Sequence, residues 1–198
     1  MKKLAFFVVF ALVALVASAQ NPINWSVKAG VGISNITGSD IDGTEAKFGY
    51  KLGVGLECPF DPIWSLQTGL NFVSKGAGID GADAKINALY LEVPIMAAAR
   101  FAVSDAANVV VSAGPYLGYG VGGKQKVEAR EGGTKVTIEE DTFGDDAFRR
   151  FDFGLGIGVA AEFDRIVVGL DGQFGLNKLH KDISAKNLSA FLTVGYKF

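Results

Sequence analysis

From Trp25 onward the chain alternates. Trp25, Val27, Ala29, Val31 and Ile33 share one face of an extended segment; Ser26, Lys28, Gly30, Gly32 and Ser34 share the other. A period of two over ten residues marks a β-strand with two unlike faces. The pattern returns until Phe198 and predicts strands at 24–34, 48–58, 63–74, 86–101, 109–122, 149–163, 166–176 and 188–198. Eight antiparallel strands in meander order close a barrel whose interior holds side chains only. The apolar faces carry roughly forty side chains, far more than such an interior accepts. A soluble, lipocalin-like barrel would have to enclose them and expose the charged, glycine-rich face instead. Turning the apolar face outward into lipid removes the conflict.

The first residues stand apart from this pattern. Lys2 and Lys3 precede an apolar run from Leu4 to Val16, and Ala17-Ser18-Ala19 follows. A basic start, a short apolar core and small residues at a cleavage point describe a secretory signal peptide over 1–19, leaving 20–198 as one barrel domain. Beyond it no apolar run is long enough for a spanning helix. Cys58, the single cysteine, cannot form an internal disulfide and lies far from the cleavage point, which excludes a lipoprotein. Without Lys2 and Lys3 the chain keeps 17 basic residues against 21 acidic ones. A mildly acidic domain with no basic stripe argues against nucleic acid as a partner.

The connections alternate in length. The stretches 59–62, 102–108 and 164–165 are short, whereas 35–47, 75–85, 123–148 and 177–187 are long, polar and glycine-rich. Short periplasmic turns and long outer loops are the plan of an outer-membrane barrel, and an even strand count puts both termini on the periplasmic side. Run alternately up and down, the outward aromatics sort into two girdles. Trp25, Trp64, Phe101, Phe163, Tyr196 and Phe198 fall at the periplasmic ends; Phe48, Tyr50, Phe72, Tyr119, Phe151, Phe153 and Phe174 fall at the outer ends. Aromatic belts of this kind sit at the two lipid–water interfaces.

The opposite face is small or charged. Lys28, Lys51, Glu57, Glu92, Arg100, Asp152, Glu162, Asp171 and Lys197 point inward among glycines, with Tyr90, Met96, Tyr116 and Phe191 to fill the lumen. Charges in so narrow a space must pair with one another or with water, so the interior reads as a packed polar core. Pro94 and Pro115 withhold ladder donors in neighbouring strands at similar heights, which predicts a bulge or a local gap.

Tyr90-Leu91-Glu92-Val93-Pro94-Ile95 and Ala113-Gly114-Pro115-Tyr116-Leu117-Gly118-Tyr119, with the opening Val27–Val31 and the closing Val194–Phe198, resemble the PorT-like outer-membrane β-barrel family. The resemblance covers nearly the whole mature chain. It implies a barrel of OmpA or OmpX size in a Gram-negative outer membrane; some relatives assist a protein-secretion system, and no catalytic residues carry over. Tyr196 and Phe198 are also similar to the terminal signal read by the barrel-assembly machinery, an expected partner during insertion. Thr193 stands where that signal usually has glycine.

Four features bear on function. Lys126–Arg130 and Thr134–Ile138 alternate around Gly132-Gly133, a hairpin signal followed by the acidic turn Glu139-Glu140-Asp141. The fifth strand is therefore expected to continue outward as a ribbon, with loops 35–47 and 123–148 as places for a protein or surface ligand. Asp40, Asp42 and Glu45 gather oxygen ligands for calcium, but their spacing does not complete an EF-hand loop, and no metal is expected. His180, near Asp182 and Ser184, is the sole histidine available to a lipid A-modifying enzyme; it reads as a solvated loop residue, and the chain as a non-enzyme without cofactor. A lumen crowded with paired charges argues against a diffusion pore.

Overall fold

The computed structural model describes residues 23–38, 43–79, 84–131, 134–144, 148–179 and 184–198. The expected signal peptide, Gly132-Gly133, Asp40, Asp42, His180 and Asp182 lie outside them. Ten strands follow in order: β1 (Asn24–Thr37), β2 (Thr44–Pro59), β3 (Trp64–Ile79), β4 (Ala84–Ser104), β5 (Ala107–Gly122), β6 (Lys124–Glu131), β7 (Thr134–Asp141), β8 (Phe151–Phe163), β9 (Ile166–Gly175) and β10 (Lys186–Lys197). Eight of them pair antiparallel with their chain neighbours, and β1 meets β10 in register from Ser26↔Lys197 to Thr37↔Lys186. That pairing leaves the barrel itself without an edge. The hairpin β6–β7 is an appendage on the outer end of β4.

The two faces follow the alternation. Along β10, Leu192, Val194 and Tyr196 are exposed while Phe191, Thr193 and Gly195 are buried. Of the two aromatic sets, all but the half-buried Phe72 are exposed on the outer wall. Both described chain ends lie beside the short turns, where Phe198 N donates to Trp25 O at 2.9 Å. Tyr196 and Phe198 contact edge to face, 5.3 Å between centroids.

The strands run further out than the alternation suggested. The segment 75–85, read as a loop, is mostly ladder: β3 and β4 stay paired from Ser74↔Leu89 to Ile79↔Ala84. Gly76 and Gly78 disguised it. At Gly76 (φ 140°) the strands approach so closely that a Cβ would lie 1.9 Å from Ile86 O. Glycine here permits a bend with close backbone contact, not a loop.

The ribbon also differs from expectation. β5 does not continue into it; Gly123 (φ 143°) redirects the chain, and β6 pairs with β4 through Gln125↔Ile86, Lys126↔Lys85 and Val127↔Ala84. One edge of the hairpin is thus already used, and β7 is the free edge of the sheet among the described residues. Glu139-Glu140-Asp141 is not a turn but the end of β7. At the prolines the ladder is interrupted without a change of register: β4–β5 pairing skips from Pro94↔Tyr116 to Ala97↔Ala113. The result is a gap, since a missing N–H removes a bond without adding a residue.

Candidate functional site

The inward face of the barrel wall organises charge by depth. At the periplasmic end β2, β4, β8 and β10 each supply one ionic group. Arg100 donates from Nη2 to Glu57 Oε1 at 2.8 Å and from Nε to Glu162 Oε2 at 2.9 Å. Lys197 Nζ lies 2.8 Å from Glu57 Oε2 and 3.0 Å from Glu162 Oε1. Two acids and two bases alternate, so each charge has two opposite neighbours and the desolvation cost is offset by ionic hydrogen bonds. At mid-depth Lys51 Nζ meets Asp171 Oδ2 at 3.0 Å.

Towards the outside lies a fully buried triad. Lys75 Nζ contacts Glu92 Oε1 at 2.5 Å and Asp152 Oδ2 at 3.3 Å, with no side-chain exposure at any of the three. Gln173 Nε2 donates to Glu92 Oε2 and Asn187 Nδ2 to Asp152 Oδ2, each at 2.9 Å. The ammonium also lies 4.4 Å from the Tyr116 ring centroid, within cation–π range. Lys75 was missed in the sequence because it sits in a stretch read as loop. With it the inward set becomes five bases (Lys28, Lys51, Lys75, Arg100, Lys197) and five acids (Glu57, Glu92, Asp152, Glu162, Asp171).

A hydrophobic lid covers the triad. Ile36, Ala77, Leu179 and Ala185 form a buried cluster, with Ile86 and Phe148 packed against it. Phe143 enters the barrel mouth and meets Tyr90 edge to face at 5.4 Å. Gly120 makes the space: a Cβ there would lie 2.4 Å from the Phe143 ring. Thr142 Oγ1 donates to Asn87 O and Arg149 N to Leu179 O, both at 2.7 Å, which tie the loops down. The available sequence signal was two phenylalanines and a leucine inside segments otherwise polar.

Beyond the lid stands the hairpin. Glu139 takes Lys124 at 2.7 Å and Lys126 at 2.5 Å. Hydrogen bonds from Lys124 and Lys126 hold its carboxyl down at about 2. The opposite face carries Val127 and Ile138, 47 % and 57 % exposed. Glu45 is an exposed residue of β2, and no group of three or more His, Cys, Asp or Glu able to hold a metal occurs among the described residues. Of His180, Asp182 and Ser184, only Ser184 falls within the described chain.

A closed eight-stranded barrel, apolar outside and ionic inside, is the plan of a protein that spans a membrane with strands. The sequence agrees, because the model of one protein family matches residues 18–181. The chain belongs to the outer membrane protein beta-barrel domain family. This outer-membrane barrel is similar in structure to the outer membrane enzyme PagL, with TM-score 0.53 and 19 % identity over 86 % of this chain and 98 % of that one. Neisserial surface protein A gives TM-score 0.51 and 11 % identity over 90 % and 100 %. Ail, the attachment invasion locus protein of Yersinia pestis, gives 0.44 and 15 % over 90 % and 100 %. For PagL and Neisserial surface protein A the likeness, at these identities, shows the fold. No curated protein matches the barrel by sequence.

Proposed function

We propose that this outer-membrane barrel is a closed, non-enzymatic protein that acts through its outer surface, with β6–β7 as the docking element. The observation carrying this reading is the sealed outer half of the lumen. The Lys75–Glu92–Asp152 triad is fully buried in the lumen, and Phe143 packs against Tyr90 above it. A solute would have to break buried ion pairs to pass. Outside stands a hairpin whose β7 edge is unpaired among the described residues, the kind of surface to which an extended partner segment adds as a further strand.

Deleting 124–141 tests the docking element, and the geometry favours that choice: Thr142 N already donates to Gly123 O at 3.1 Å. The shortened barrel should insert and fold while partner recovery and surface attachment fall. Unchanged attachment with an intact barrel would remove the docking role. In planar bilayers the parent protein should be silent; steady conductance would overturn the closed-lumen reading.

A second reading is service to a protein-secretion system, supported by the PorT-like motifs around Tyr90–Ile95 and Ala113–Tyr119. Impaired secretion in a deletion strain, restored by the 124–141 variant, would favour it over docking at the ribbon. Catalysis draws support from the resemblance to an outer membrane enzyme alone, and that is a likeness of fold. An unchanged membrane lipid profile in a His180→Ala strain is the expected result.

A further inference from the structure

Between the periplasmic ion ring and the sealed triad the lumen is hollow. Two adjoining cavities of about 60 and 70 Å³ lie there, each with room for several waters. Lys28, Gln67, Thr68, Ser112 and Asp171 line both. Lys28 projects from β1, where its ladder partners are Gly53 on β2 and Gly195 on β10.

Every other charge around these cavities is taken. Glu57 and Glu162 share Arg100 and Lys197, and Asp171 is held by Lys51. Lys28 alone of this group has no hydrogen bond or ion pair among the described residues. The inner and middle lumen holds four bases (Lys28, Lys51, Arg100, Lys197) against three acids (Glu57, Glu162, Asp171). Its excess is one positive charge; the matching negative excess is locked in the triad, beyond Tyr116 and Gln173. Lys28 is half-buried, and Asp171, Glu57 and Glu162 act on it only at longer range; a partly desolvated charge with no direct partner is costly even where water reaches it.

We propose that the chamber at Lys28 binds one small monovalent anion of the halide class, entering from the periplasmic side. A single negative charge restores neutrality, whereas a divalent oxyanion would overshoot and crowd Asp171. The Lys28 ammonium supplies the charge, and the Ser112 hydroxyl, which has no protein partner among the described residues, supplies a second donor.

The test uses bromide, visible by its anomalous scattering. Crystals of the folded barrel soaked in sodium bromide should show a peak in the chamber in contact with Lys28, absent in Lys28→Met. No chamber peak in the parent, or one that persists in K28M, overturns the proposal; peaks confined to the outer surface mean an adventitious ion only and overturn it equally. In solution, replacing gluconate by bromide at constant ionic strength should raise the unfolding midpoint of the parent and leave K28M unmoved. Asp171→Asn removes a negative charge and frees Lys51, which raises the net positive charge of the chamber by one and should enlarge the bromide response. Equal responses from all three proteins would also overturn it.

Discussion

Lys75 Nζ lies 2.5 Å from Glu92 Oε1, and neither side chain has any exposed surface. The two residues come from neighbouring strands but do not face each other in the ladder, where Glu92 is paired with Asn71 and Lys75 with Ala88. Lys75 instead reaches down the lumen to Glu92 and across it to Asp152 on β8. This contact joins distant parts of the wall, and its removal should be felt by the whole barrel.

Lys75→Met strands two buried carboxylates, and breaking such a cluster from one side costs about 3–5 kcal/mol. Denaturant unfolding in micelles should show a loss of that order. Adding Glu92→Gln and Asp152→Asn should recover most of it, because the desolvated charges go too. A triple variant as unstable as K75M would argue against a charge-based penalty.

Gly120→Val places side-chain atoms where the Phe143 ring now sits. The ring must leave the mouth, and the segment after β7 loses its anchor. Limited proteolysis should cut within 142–150 much faster than in the parent, with the barrel still folded. An unaltered cleavage pattern would mean that Phe143 does not hold the loop.

Leu192 is 51 % exposed at the middle of β10, paired with Val31 and Leu170 on the lipid face. Leu192→Arg should destabilise insertion by about 2–4 kcal/mol, the cost of a cation near the bilayer midplane. The same change at the solvent-facing Ile138 should cost far less. Equal losses at both positions would contradict the outward-facing apolar wall.

Glu139 titrates at about 2, below its ordinary 4.5, owing to hydrogen bonds from Lys124 and Lys126. A carboxyl lowered by folding stabilises the hairpin above about 4.5, and that contribution fades as the pH falls through about 2. The group is solvent-exposed, so salt should weaken the effect. Carboxyl carbon NMR should place its midpoint near 2 at low ionic strength and higher at high salt. An ordinary midpoint at low salt would dissolve the Lys124–Glu139–Lys126 arrangement.

The alternation read from Trp25 to Phe198 was enough to locate eight strands and their inward and outward faces, because side-chain direction in a strand is a local property with period two. Which inward charge meets which was not legible. Arg100 meets Glu57 and Glu162 because the register sets their relative heights, and register is fixed by pairings across the whole barrel. Lys75 was hidden by the glycines beside it, and Phe143 by the polar loop that carries it. In both cases the deciding partners, Asp152 for Lys75 and Tyr90 for Phe143, lie more than fifty residues away. Sequence by itself determined where this chain sits and which face meets lipid. Tertiary structure alone decided that Phe143 packs on Tyr90 at the outer mouth, that the ionic interior divides into a ring, a chamber and a triad, and that Lys28 lies between them without a direct ion pair, because those outcomes depend on closure of the wall and return of the loops.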